Sequence, residues 1–173
     1  MSNELDEVYV AIRGDNYLSS LFGSYKRAIP YVTDRVVCDY GCGYGWGTYY
    51  LSHFCNHIVG VDIDRERINY ARECLVRSNL VFHDMDKGGI EINFDVVCLL
   101  QVIQWAHDPE MLLENLKKNL NDDGIFIITT KESCQGAVSF LNSYFLNANT
   151  RFIDTKSVRL GQLDSIIEYI IAP

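Results

Sequence analysis

The chain has no long run of lysine or arginine, no apolar stretch approaching membrane-spanning length, and no cysteines spaced Cys-x-x-Cys. The formal net charge is −8, so the missing basic tracts argue against tracking along nucleic acid or resting on an anionic membrane. The missing apolar run leaves no candidate spanning helix, and Met1 to Glu7, polar and acidic, do not read as a secretory leader. The six cysteines (Cys38, Cys42, Cys55, Cys74, Cys98 and Cys134) fall mostly within apolar patterns, which predicts buried, reduced thiols in a cytoplasmic protein. His53, His57, His83 and His107 show no ligand spacing with them, so no metal site is expected. Internal repeats and low-complexity segments are also missing. With 173 residues, 48% apolar and 22% charged, the chain has the composition of one globular domain with a sizeable core.

What the chain does have is Val36-Val37-Cys38-Asp39-Tyr40-Gly41-Cys42-Gly43-Tyr44-Gly45-Trp46-Gly47. A short β-branched run reads as a buried strand, four glycines follow at alternate positions, and Thr48-Tyr49-Tyr50-Leu51 reads as the start of a helix. Such a turn lets a ligand lie against bare backbone, because glycine has no Cβ to forbid positive φ or close approach. A dinucleotide fingerprint would be Gly-x-Gly-x-x-Gly, with the third glycine packing helix on strand. Counted from Gly41 that third position is Trp46, and counted from Gly43 it is Thr48. A nicotinamide-dependent oxidoreductase is disfavoured on this ground.

Asp39-x-Gly41-x-Gly43-x-Gly45 resembles motif I of the class I S-adenosylmethionine-dependent methyltransferases. The resemblance implies that Asp39 helps hold the methionine ammonium group of the cofactor, and that the backbone of Gly41, Gly43 and Gly45 lies beneath methionine and ribose. Further along, His57-Ile58-Val59-Gly60-Val61-Asp62 reads as a second strand ending in a carboxylate. A carboxylate suits a vicinal diol, since it offers two acceptor oxygens and no competing donor. Asp62 is therefore assigned to the ribose, with Ile63 beside it. Asp64 is the alternative, and it also has the look of a helix N-cap ahead of Arg65 to Arg72. After a third strand, Leu80-Val81-Phe82, the resemblance assigns Asp84 and Met85 to the adenine, with Asp86 competing for the same role.

Asn93 to Trp105 reads as a turn, a buried fourth strand and a loop. Asp108 and Pro109 open a helix running to Leu120, Asn121-Asp122-Asp123-Gly124 is a turn, and Ile125 to Thr130 is a fifth strand. The resemblance places backbone of Leu100 and Gln101 at the cofactor ammonium. Many family members carry Glu-Val-x-Glu-His where this chain has Gln101-Val102-Ile103-Gln104-Trp105, so two carboxylates and a histidine are replaced. His107 is a weak candidate for a catalytic base, with a surface loop as its alternative, and Tyr17, Trp105, Lys131 and Glu132 could line the acceptor side.

Upstream, residues 8–31 carry a helical period with Pro30 closing the last helix before the first strand. Downstream, residues 133–148 read as a helix, followed by two strands joined through Gly161 to Asp164. Alternating strands and helices imply a Rossmann-like, doubly wound α/β fold, and the resemblance completes it as a mainly parallel seven-stranded sheet with an antiparallel last strand. The expected organisation is a helical lead-in over residues 1–34, a cofactor-binding core over 35–130 and a closing helix and strand pair over 131–173. The function it implies is a cytoplasmic S-adenosylmethionine-dependent methyltransferase acting on a small-molecule or glycan acceptor. No nucleic acid or membrane partner is expected, and a homodimer could complete an open acceptor side. The alternative is a member of the fold that binds the cofactor, or only scaffolds, without turnover.

Overall fold

A computed structural model of the chain describes residues 16–85, 92–147, 151–160 and 164–172. Helix α1 (Asn16–Val32) leads into β1 (Val36–Tyr40), α2 (Trp46–Leu51), β2 (His57–Asp62), α3 (Arg65–Cys74), β3 (Leu80–Asp84) and β4 (Phe94–Leu100). A 3-10 turn (Ile103–Trp105) then precedes α4 (Pro109–Lys117), β5 (Leu120–Lys131), α5 (Gln135–Asn147), β6 (Arg151–Leu160) and β7 (Asp164–Ala172). The strands lie in one sheet in the order β3-β2-β1-β4-β5-β7-β6. Neighbours from β3 to β5 pair parallel, and β7 runs antiparallel to both β5 and β6. The fold is a Rossmann-like α/β sheet, wound in both directions from β1. Its switch point lies between β1 and β4, which opens a crevice beyond their carboxyl ends.

Both faces of the sheet are covered, as a parallel sheet requires. Phe22, Tyr25, Ala28 and Val32 of α1, with Leu51, Ile68 and Ala71 of α2 and α3, pack on Val37, Ile58, Val96 and Cys98. Leu113 of α4 and Leu141 and Phe145 of α5 cover the opposite face, on Cys38, Val59, Val97 and Ile128. Alternation along β1 therefore sends Val37 and Asp39 to the α1 side.

Three local expectations are corrected. Pro30 does not close the lead-in helix, which runs on to Val32. A proline two residues before the end sacrifices one backbone bond, and the last turn is held by Thr33, whose N–H (3.1 Å) and hydroxyl (2.8 Å) both donate to Ile29 O. The part of the lead-in before Asn16 lies outside the described residues, as do Asp86 and Ala148. Asn121 to Gly124 do not precede the fifth strand but interrupt it. Phe94 pairs with Leu120 and Val96 with Ile125, so the four residues loop out of the ladder within β5. Asp95 secures this bulge, accepting Asn121 Nδ2 at 2.7 Å and, on its other oxygen, Val36 N at 2.8 Å. Lastly, the cysteines are all free thiols, but Cys74 is exposed and Cys134 half-buried, while the other four are buried.

Candidate cofactor and acceptor site

The glycine turn takes its shape from residues that only glycine tolerates well. Gly41, Gly43 and Gly45 have φ of 77°, 58° and 80°, in the left-handed region that disfavours any side chain with a Cβ. The turn is pinned to β2 by Gly41 N and Cys42 N, which donate to Val61 O at 2.7 and 2.9 Å. A Cβ on Gly41 would stand 2.4 Å from Val102 Cγ2, and one on Gly45 would stand 2.5 Å from Phe82 Cε1. At Gly43 a Cβ would meet nothing within 4 Å. Gly41 and Gly45 thus fit protein against protein, while the backbone of Gly43 faces open space, as a ligand cradle requires. Trp46 turns outward, 40% exposed and tilted against Tyr70, and the close helix packing falls one residue later, at Gly47 under Tyr25.

Asp39 is 1% exposed, at the tip of β1 on the side covered by α1. Its Oδ2 accepts Thr48 Oγ1 at 2.6 Å and Tyr25 OH at 3.1 Å, and Tyr25 OH lies 3.4 Å from Oδ1. Burial pushes its pKa up to about 6; the two hydroxyl donors pull it down, and the Asp62 charge adds to the rise. The negative charge is felt around the turn. The Cys38 and Cys42 thiols and the Tyr25 hydroxyl are held above their ordinary ranges, first by burial and then by the charge of Asp39.

Asp62, at the tip of β2, is buried and spans two segments. Its Oδ2 accepts Gly43 N at 2.7 Å and its Oδ1 accepts Asp64 N at 2.8 Å. Each oxygen keeps a second lone pair, and the backbone bonds fix how these point. Asp64 is the N-cap of α3, accepting Glu66 N and Arg67 N at 3.0 and 3.3 Å, with Arg67 Nε 2.9 Å from its other oxygen. That local role separates it from Asp62. Asp84 is fully buried opposite Asp62 in the β2–β3 ladder and forms an ion pair with Arg65 Nε at 3.3 Å. Just beyond these tips Ile63 is 71% exposed and Met85 36%, two large apolar side chains left in the open beside buried carboxylates.

At the tip of β4 Leu100 is buried, and Gln101 turns the chain with φ 63°, a strained value for a residue with a Cβ. Gln101 N donates to Thr129 O at 3.0 Å, and Gln104 Nε2 donates to Gln101 O at 3.0 Å. Thr130 Oγ1 completes the set by donating to Gln104 Oε1 at 3.2 Å. A neutral network of amides and hydroxyls therefore fills the rim between β4 and β5. Trp105 (79% exposed) and His107 stand in the loop beyond it, Lys131 and Glu132 lie at the end of β5, and Tyr17 belongs to α1 with its side chain outside the described residues.

The structure brings Asp39, Gly41, Gly43, Gly45, Asp62, Asp84, Leu100 and Gln101 to one rim from four strand ends. It also brings in Tyr25, Thr48 and Arg65, which the sequence does not single out. Thr48 could have been suspected as a hydroxyl early in the helix after Asp39. Tyr25 gives no such sign, being one aromatic residue among several on an apolar helix face. Among the described residues, no group of three or more His, Cys, Asp or Glu is placed to hold a metal ion, and no helix is long and apolar enough to cross a membrane.

A family profile described as a methyltransferase domain matches residues 38–128. Malonyl-[acyl-carrier protein] O-methyltransferase of Bacillus cereus is 31% identical over 115 residues, which cover 64% of this chain and 43% of that protein. Nodulation protein S of Azorhizobium caulinodans is 30% identical over 96 residues, 53% of this chain and 46% of its own length. The chain thus spans less than half the length of these curated relatives. Among solved structures, N-methyltransferase NodS from Bradyrhizobium japonicum WM9 in complex with S-adenosyl-l-homocysteine superposes with a TM-score of 0.73 at 14% identity, over 94% of this chain and 91% of that one. The complex between the Haloferax volcanii Trm112 methyltransferase activator and a methyltransferase gives 0.72 at 16% identity, over 90% of each chain. Likeness at such identity speaks for the fold.

Proposed function

This chain belongs to the methyltransferase domain family, and from that premise we propose that it binds S-adenosylmethionine at the β1–β4 crevice and methylates a small-molecule or glycan acceptor in the cytoplasm. The observation that carries the cofactor assignment is the charge of the cradle. Two buried carboxylates, Asp39 and Asp62, flank the open backbone at Gly43, and the nearby thiols and phenol are held neutral. An anionic cradle attracts a ligand with cationic centres and repels a pyrophosphate, which separates the adenosyl sulfonium from a nicotinamide dinucleotide.

The residues present fit the group. The lone pairs left on Asp62 suit the ribose diol, Ile63 and Met85 offer apolar surface to a purine, and Asp84 would take its exocyclic amine. Asp39 and the backbone at Leu100 and Gln101 would face the ammonium end. When bound, the cofactor supplies an electrophilic methyl on a sulfonium, and its departure leaves a neutral thioether. The chain's own task is then to hold the acceptor in line and keep water away. His107 would serve as base for a hydroxyl acceptor, and a second copy of the chain could complete the acceptor side.

The formal net charge of −8 supports a small acceptor over nucleic acid. The relatives' names span O- and N-methyltransferases and a tRNA U34 carboxymethyltransferase, so acceptors differ within the likeness. One observation favours a second reading, a cofactor-binding member without turnover: the neutral Gln101–Gln104–Thr130 network stands where many family members carry ionisable groups.

Calorimetry with S-adenosylmethionine, S-adenosylhomocysteine and NAD tests the cofactor. Binding of the first two and none of NAD is expected; a preference for NAD, or no binding at all, would overturn the assignment. Transfer of labelled methyl to a panel of hydroxyl, amine and carboxylate acceptors, with tRNA included, then separates turnover from binding alone.

A further inference from the structure

We infer that Tyr25 is a positioning residue of the cofactor site, one that makes the docking of α1 and the seating of a cationic ligand at Asp39 a single linked equilibrium. The inference rests on the cofactor reading above in one respect, that Asp39 faces the cationic end of the ligand.

The geometry is specific. Tyr25 is 4% exposed, its ring lies on Gly47, and its hydroxyl reaches both oxygens of Asp39, at 3.1 and 3.4 Å. Thr48 Oγ1 approaches Oδ2 from α2, at 2.6 Å. The carboxylate is thus bracketed by donors from two helices, and both are neutral. They orient the charge without cancelling it, so a buried negative group remains ready for a cation. The link runs through the proton on Asp39, because the cation and the Tyr25 hydroxyl both favour the ionised carboxylate over the protonated one: around and below the Asp39 midpoint, a cation that keeps Asp39 ionised strengthens the Tyr25 bond, and that bond holds α1 on the sheet. By reciprocity, α1 docked through Tyr25 must raise affinity for the cation by the same factor.

The titratable groups facing Asp39 are Tyr25 from α1, Cys98 from β4, Cys42 from the turn, and Asp62 from β2, and Cys38, its neighbour on β1, feels its charge from the opposite face of the sheet. The three thiols and the phenol are pushed above their ordinary ranges and remain neutral through the acid and neutral range. Asp39 itself titrates at about 6, and both hydroxyls act to lower that value. Loss of the Tyr25 hydroxyl therefore moves Asp39 further up.

Tyr25→Phe keeps the ring on Gly47 and removes only the donor. Three readouts test it. Carbon-13 carboxyl NMR of the ligand-free protein should show the Asp39 midpoint rising by roughly half a unit or more in the variant. Calorimetry with S-adenosylhomocysteine from pH 5 to pH 8 should show affinity falling on the acid side, with the fall starting at higher pH in the variant. Hydrogen exchange should show that saturating S-adenosylhomocysteine slows exchange in residues 16–32 of the wild type most near and just below the Asp39 midpoint, and that this protection shrinks well above it, where Asp39 is ionised without the ligand. The last measurement needs no variant and serves even if Tyr25→Phe does not fold. An unmoved Asp39 midpoint, an equal affinity loss at every pH, or exchange in α1 indifferent to the ligand would each overturn the role of Tyr25. A wild type that ignores S-adenosylhomocysteine would overturn the cofactor reading itself.

Discussion

The ring of Tyr25 lies so close on Gly47 that a Cβ added there would stand 2.0 Å from Cζ. Helix propensity alone would make Gly47→Ala favourable by about 1 kcal/mol, since Gly47 sits inside α2. The ring has no room to yield without moving α1, and forced repacking costs about 1–3 kcal/mol. The Asp39 hydrogen bond is lost in addition. We expect Gly47→Ala to lower stability by about 2 kcal/mol in urea unfolding; a neutral or stabilising result would refute the close packing.

Gly43→Ala should behave differently, because its Cβ would enter open space while its φ stays at 58°. The backbone penalty is about 1 kcal/mol. Affinity for S-adenosylhomocysteine should fall by tenfold or more, since the methyl would occupy the ligand's side of the turn. Calorimetry and urea unfolding on the same protein check that the affinity loss exceeds the stability loss.

Asp62→Ala should weaken S-adenosylhomocysteine binding at least tenfold. It should also destabilise the fold by about 1–3 kcal/mol, because Gly43 N and Asp64 N lose their acceptor. Asp64→Ala removes only a helix cap, worth about 1 kcal/mol, and should leave affinity nearly unchanged. Equal affinity losses in the two variants would remove the distinction drawn between these carboxylates.

Asp39 gives stability and affinity opposite pH slopes. Its folded pKa of about 6 lies above the ordinary carboxylate value, so the folded state binds the proton more tightly. The stability this confers is complete below about pH 4 and is lost as pH rises through 6. It amounts to ~3 kcal/mol by linkage. Asp39→Asn should flatten this component of the unfolding free energy between pH 4 and pH 7. Identical pH profiles in wild type and variant would show that Asp39 titrates normally.

Arg27 Nε meets Glu168 Oε2 at 2.9 Å, tying α1 to β7, with Arg27 Nη2 also on Ser24 Oγ. Glu168 is 3% exposed, so Arg27→Met would strand a buried carboxylate at a cost on the order of 3 kcal/mol. Arg27→Met combined with Glu168→Gln should recover part of that loss. A double variant as unstable as the single one would mean that the charge of Glu168 is not the source of the penalty.

Much of this protein is written locally. A β-branched run, alternating glycines and a capping aspartate specify β1, the turn and the start of α3, because φ sterics and capping act over a few residues. Asp39 and Asp62 were legible for the same reason, each ending a short apolar strand. Their partners were not. Tyr25 stands 14 residues before Asp39 on a helix whose apolar period predicts burial and nothing more, and Arg27 meets Glu168 across 141 residues. Pro30 and Asn121 to Gly124 look like breaks by local propensity, but Thr33 carries the helix past Pro30 with two bonds to Ile29 O, and Asp95 ties the bulge at Asn121 into the sheet across 26 residues. Sequence by itself determined which backbone segments could form the cradle and which carboxylates would stand at the strand tips. Only the tertiary structure decided which hydroxyls face Asp39, which glycine is open to a ligand and how α1 is fastened, because burial and non-local pairing exist only once the sheet has closed.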